Sequence, residues 1–152
     1  MKSIGVIMEE LFAYAYLVDM DLISEEIYED KLNELFLKNP TDEHLLELEF
    51  LSRNRKETVR YIRTHSNYND MDIDKFGKAL FELLKPMYVS IDIHRFGDAM
   101  YSLWESLPGN LQDIQPFEVL CYAHDPLSWG DEIQCREIYE AMLDYYSFIS
   151  HN

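Results

Sequence analysis

Apolar residues recur at helical spacing along nearly the whole chain. Ile4, Ile7, Met8, Leu11, Ala15 and Val18 fall three or four residues apart and form one stripe of a first helix. Ser24 then offers an N-cap hydroxyl, and Glu25 and Glu26 follow in the first turn, where the helix dipole favours negative charge. Ile27, Leu32, Leu35 and Phe36 make the stripe of that second helix, which Asn39-Pro40 stops because proline cannot continue the hydrogen-bond ladder. Thr41 is placed to cap a third helix carrying Leu45, Leu46, Leu48, Phe50 and Leu51. That segment is apolar on more than one side, which predicts a central position. Asn54, with Glu57 three residues later, fits the cap of a fourth helix bearing Val59 and Ile62. The polar run 65–70 reads as a loop.

An internal repeat follows. The segment beginning Asp72-Ile73 and running to Leu84 recurs twenty residues later, from Asp92-Ile93 to Trp104, with six identical positions. Each copy reads as a capping Asp and an amphipathic helix ended by a proline, Pro86 or Pro108. A glycine inside a helix costs about 1 kcal/mol relative to alanine. Gly77 and Gly97 at equivalent places therefore predict close backbone approach, and the pair reads as a duplicated helical hairpin over 72–86 and 92–108. Beyond it, Pro116 suits the first turn of a helix through Phe117, Val119, Leu120 and Ala123. Asp125-Pro126-Leu127-Ser128-Trp129-Gly130 reads as a loop, and a last helix carries Ile133, Ile138, Met142, Tyr145 and Ile149. No segment reads as a strand. The expectation is an all-α fold, a single compact domain over 1–152 with seven or eight helices.

Composition agrees with a packed helical core. Eleven Tyr, eight Phe and two Trp supply core material, and only five Gly and five Pro argue against an all-β chain rich in tight turns. Charge narrows the partners. The net charge of −16 opposes binding to nucleic acid or to an anionic membrane surface. The distribution is uneven: residues 1–38 hold three basic and nine acidic groups, and residues 110–152 hold one basic and eight acidic. Such ends read either as a solvated exterior or as a field that attracts a basic partner. Between them Lys56, Arg60 and Arg63 share one helix face, with Arg53 and Arg55 just before it. In so negative a field this stripe reads as an intramolecular partner for the acids. No run approaches the roughly 18 apolar residues of a membrane span, and Glu9 and Glu10 interrupt the only N-terminal apolar stretch. Cys121 and Cys135 match no zinc spacing and are too few for a disulfide framework, which points to reduced thiols and a cytoplasmic protein.

Catalytic chemistry finds little foothold. There is no Glu-x-x-His, no His-Glu-x-x-His, no EF-hand loop, no glycine-rich phosphate cradle and no Gly-x-Ser-x-Gly. No cofactor or metal site is expected. His124-Asp125 resembles the central dyad of metal-dependent phosphohydrolases on helical folds, which need a further upstream His and a downstream Asp; His94 and Asp144 could be conscripted, but no spacing compels it. A helix-end His before a capping Asp explains the pair more simply. Trp129, beside Asp131 and Glu132, has two readings: an anchor at a protein interface, or an indole folded onto the core while Asp131 or Ser128 caps the last helix. The second is the favoured expectation. Tyr68, Tyr145 and Tyr146 carry the same ambiguity.

Three stretches carry a resemblance: Pro40-Thr41-Asp42-Glu43-His44-Leu45-Leu46-Glu47-Leu48-Glu49, Trp104-Glu105-Ser106-Leu107-Pro108, and Asp125-Pro126-Leu127-Ser128-Trp129-Gly130-Asp131-Glu132. On these the chain resembles, over roughly residues 5–147, a family of small acidic bacterial proteins that carry a domain of unknown function. Proteins of this type are similar in kind to immunity proteins, which neutralise toxin domains. The resemblance implies a stand-alone bacterial protein and assigns no catalytic residue. The resulting expectation is a non-enzymatic inhibitor of a basic toxin domain, a nuclease being one possibility. Its expected contacts are Glu25, Glu26, Glu29, Asp30, Trp129, Asp131 and Glu132. The alternatives are a metal-dependent hydrolase built on His124 and Asp125, a nucleic-acid mimic, and a structural or regulatory helical module.

Overall fold

A computed structural model describes residues 4–65 and 71–149, with side chains over 9–65 and 71–147. Among these residues every regular element is helical, as the periodicity predicts. Ten α-helices and one 3₁₀ turn occur: α1 (Ile4–Asp19), α2 (Glu25–Lys38), α3 (Glu43–Leu51), α4 (Arg55–His65), α5 (Ile73–Ser90), α6 (Ile93–Ser106), α7 (Gly109–Gln112), α8 (Val119–Tyr122), the 3₁₀ turn Asp125–Trp129, α9 (Glu132–Leu143) and α10 (Tyr145–Ile149). They pack as two compact units, Met1–Leu80 and Phe81–Asn152. Most of the expected loop over 65–70, Tyr68 included, lies outside the described residues.

In the first unit α1 packs on α2 and α4, and α3 packs on both of these. The central helix is α1 and not α3. Leu11, Phe12, Ala13, Ala15, Tyr16, Leu17 and Val18 are all buried, so α1 is enclosed on nearly every side. In α3 only Leu45 and Leu48 are buried, three residues apart on one face, and Phe50 is 79% exposed. Nine residues cannot bury two faces without a neighbour on each. The caps mostly follow the sequence. Ser24 accepts the Ile27 N–H and Asn54 accepts the Glu57 N–H, each satisfying one donor of a helix start. The third cap is Asp42 and not Thr41: its carboxylate accepts the N–H groups of both His44 and Leu45. The Thr58 hydroxyl is buried and donates to the Leu51 carbonyl at 2.8 Å, tying the end of α3 to α4.

The repeated segments form α5 and α6. Equivalent positions are buried in both copies: Phe76 with Phe96, Gly77 with Gly97, Leu80 with Met100. Each copy uses this face inside its own unit. Phe76 lies edge-on to Phe12 at 5.7 Å and to Tyr16 at 6.2 Å. Phe96 lies edge-on to Tyr139 at 4.9 Å and to Tyr88 at 5.2 Å. The close approach expected at Gly97 is to His124, whose Cβ lies 2.8 Å from where a Cβ on Gly97 would sit; the glycine serves α6 against the chain after α8 and is not the meeting point of two hairpin arms. Pro86 does not end α5, which continues to Ser90 before the Asp92 cap. Pro108 does follow an end: Leu107 is extended, as the residue before a proline prefers.

In the second unit α6 packs on α8, and α9 packs on α8, on the 3₁₀ turn and on α10. Pro116 does not open a helix; it lies in a turn after a cis peptide bond, and α8 begins only at Val119. The expected loop at Asp125 is a 3₁₀ turn closed by Gly130 at φ 78°, a left-handed conformation that favours glycine. The predicted last helix is broken at Asp144 into α9 and α10.

Two predictions follow from this packing. Gly97→Ala gains helix propensity but drives a methyl group onto the His124 Cβ, which the backbone holds in place. The net effect expected is a loss of about 1–2 kcal/mol in urea denaturation. The second concerns Glu9, which is 5% exposed. One carboxylate oxygen accepts the Asp72 N–H at 2.7 Å, and the other is buried without a hydrogen-bond partner. Burial pushes the carboxyl above the ordinary carboxylate range, and the Asp72 bond only partly offsets it. A raised carboxyl pKa favours the folded state while Glu9 is protonated and weakens it as pH rises through the interval above the unfolded value. Glu9→Gln should therefore melt higher than the wild type at pH 7. The difference should disappear in thermal melts below the ordinary Glu pKa of about 4.3.

Candidate functional site

The expected contact residues fall in two places. Glu25, Glu26, Glu29 and Asp30 occupy the first turns of α2 in the first unit. Glu25 is already engaged: Arg55 donates to it at 2.9 Å and to Asp21 at 2.7 Å. The basic face behaves in part as expected, since Arg63 also lies 3.9 Å from Asp19. Glu26 and Asp30 are exposed and Glu29 is half-buried, with no cation paired to them among the described residues.

Trp129, Asp131 and Glu132 lie at the start of α9 in the second unit. The indole of Trp129 is 63% exposed, so the expected burial onto the core does not occur. The reason lies in the turn: Gly130 reverses the chain one residue after Trp129, and Asp131 then caps α9 through the Gln134 N–H at 3.0 Å. The capping role expected of Asp131 is met. Ser128 instead donates to the Asp125 carbonyl within the turn. Glu132 is paired with Arg136 one helical turn on, at 2.8 Å. Ile133, next in sequence, is 75% exposed.

Beside this patch is a groove that the sequence reading did not identify. It encloses about 380 Å³ and is lined by Gln115, Pro116, Val119, Tyr122, Glu137, Ile138, Ala141, Met142 and Tyr145. Its two walls are the turn leading into α8 and the outer face of α9. Val119, Ile138 and Met142 belong to stripes read as core, and a stripe seam does not reveal whether its partner side is filled. The small side chain of Ala141 between Ile138 and Met142 was the available signal. Ile133, Glu137 and Ala141 are spaced four residues apart, so Ile133 continues the groove's α9 wall by one turn.

Groups suited to catalysis are engaged elsewhere. His124 Nε2 lies 3.9 Å from Asp125, its Cβ packs at Gly97, and its ring meets Tyr101 edge-on at 5.6 Å. Among the described residues no three of His, Cys, Asp and Glu converge as metal ligands, so His94 and Asp144 do not complete a site with His124 and Asp125. Cys135 is buried and Cys121 half-buried, and both are free. Burial raises both thiols, and Asp125 and Glu118 add to the effect at Cys121, which disfavours the thiolate. Trp104 and Gln112 are tied reciprocally, each side chain donating to the other's carbonyl at 3.0 Å, which accounts for the indole in structural terms.

Comparison of the chain with protein-family models, curated proteins and solved structures finds no match. Among the described residues no helix is long and apolar enough to cross a membrane.

The cap assignment separates stability from recognition at Asp131. Asp131→Ala should lose about 1 kcal/mol in chemical denaturation, and Asp131→Asn, which keeps the acceptor, should lose only a few tenths.

Proposed function

We propose that the protein is a cytoplasmic acidic binding protein, an immunity or antitoxin-type inhibitor that occludes a basic toxin domain. The observation that carries this reading is the exposed Trp129–Ile133 pair set in the most acidic part of the chain. Residues 110–152 hold eight carboxylates and one cation, Arg136. That cation is already held by Glu132 and lies 3.5 Å from the Tyr88 hydroxyl. An exposed indole and isoleucine supply the apolar anchor of an interface, and the surrounding negative field steers a cationic partner toward it. Glu26, Glu29 and Asp30 add a second acidic patch on α2. Inhibition would be steric and electrostatic: field-driven encounter sets the on-rate, and desolvation of Trp129 sets the off-rate.

Calorimetric titration against a basic toxin domain, starting with any domain found encoded beside this chain, tests the proposal. The expected result is a 1:1 complex that weakens with added salt and that Trp129→Ala weakens at least tenfold, or roughly 1.4 kcal/mol. Absence of heat and of any complex at low salt would remove the inhibitor reading.

A further inference from the structure

We infer that the groove between the α8 wall and α9 receives a cationic amphipathic helix of the partner. This deepens the binding-protein reading and rests on it. The volume of about 380 Å³ lies within the range of clefts that hold ligands, roughly 300–1,000 Å³. The α9 face from Ile133 through the groove residues Glu137, Ile138 and Ala141 to Met142 is about 13 Å long at 1.5 Å per residue, and Tyr145 of α10 closes its far end. That length matches two to three turns of a helix presenting anchors at i, i+3, i+4 and i+7. Both walls are side chains of helices and turns with no open strand edge among the described residues, so an extended peptide would find no backbone ladder to join.

Charge selects the sign of the occupant. Glu137 lines the groove itself, and Glu118 adjoins Val119 in sequence. Neither has a cationic partner among the described residues. Of the three cations in this unit, Arg136 is held by Glu132 on α9 itself, Lys85 by Asp144 and the Ser147 hydroxyl, and Arg95 lies on α6, which contributes no residue to the groove lining. An apolar ridge with flanking Lys or Arg therefore fits, and an acidic helix is repelled. A second copy of this chain is disfavoured for the same reason, since each carries a net charge of −16.

The test uses the full-length chain and an 18-residue synthetic helix with leucines at i, i+3, i+4 and i+7 and lysines elsewhere. A scrambled peptide of identical composition is the control. Fluorescence anisotropy should show saturable 1:1 binding, at least tenfold weaker for the scrambled peptide. Ala141→Trp, which fills the groove, should lose at least tenfold. Glu137→Lys, an exposed change that does not perturb the core, should also weaken binding and guards against misfolding of the first variant. Equal binding of both peptides, no saturation at about 100 µM, or wild-type affinity in both variants would overturn the groove assignment. Self-association at micromolar concentration that Ala141→Trp abolishes would overturn it in favour of a second copy. If the basic domain binds wild type and Ala141→Trp equally, the groove assignment falls and the inhibitor reading stands. If the peptide binds in the groove and no basic domain binds, the inhibitor reading falls and the groove assignment stands.

Discussion

Phe96 and Gly97 together set the packing of the second unit. The phenylalanine ring is enclosed edge-on between Tyr88 and Tyr139, and the next residue presents no side chain, which admits His124 to contact distance. Burial of one such ring is worth about 1.5–3 kcal/mol, but the geometric consequence is larger. By letting the chain after α8 lie against α6, Gly97 places the 3₁₀ turn. That turn fixes where Trp129 emerges and where Asp131 begins α9. The exposed patch and the groove are thus set by a glycine that touches neither. The repeated segment uses the same Phe–Gly face at Phe76 and Gly77 in the first unit, where the surrounding rings are Phe12 and Tyr16.

Charge has the opposite character. With 13 cations against 29 carboxylates, each base is valuable, and most described bases bridge acids close by. Lys31 spans Glu10 and Glu34, and Arg55 spans Asp21 and Glu25. Pairs this exposed contribute about 0–1 kcal/mol each, so the aromatic and aliphatic cores hold the units together. What the pairs do is organise the remaining field. Once Arg55 and Arg136 are occupied, Glu26, Glu29 and Asp30 of α2 and Glu118 and Glu137 of the second unit are among the described carboxylates left without an ion pair. Salt screening therefore acts chiefly on what the surface attracts.

Helical class, most helix positions and five of the caps were legible in the sequence, because each depends on local spacing: Ser24, Asn54, Asp72, Asp92 and Asp131 all act within one turn of their own position. What failed depended on neighbours distant in sequence. α1 and α3 both pack on α2 and α4, so which lies deeper is decided by how closely those helices enclose each, and a nine-residue apolar segment carries no record of that. Pro86 sits inside α5 because the capping residue Asp92 comes six residues later, and a proline weakens a ladder without always ending it. The expectation that Trp129 folds onto the core fails because Gly130 and the Asp131 cap determine its direction. The groove was invisible for a related reason: Val119, Ile138 and Met142 are spaced like core residues whether or not a third element covers them.

The groove is apolar with few polar atoms, none of them converging on one position. Catalysis requires donors and acceptors preorganised around one reacting position. Among the described residues the buried side-chain polar atoms without partners are Glu9 Oε2, Tyr28 Oη, His124 Nδ1 and Tyr139 Oη, and none of these residues lines the groove. The groove offers one carboxylate, two phenols and one amide among apolar walls. It contains no histidine and no paired carboxylates, so it lacks an acid–base couple able to hold and return a proton near neutral pH. Its lining differs from the surrounding surface in shape and in the single carboxylate of Glu137. The exposed Ile133 continues this face of α9 toward Trp129, whose indole also lies outside the core.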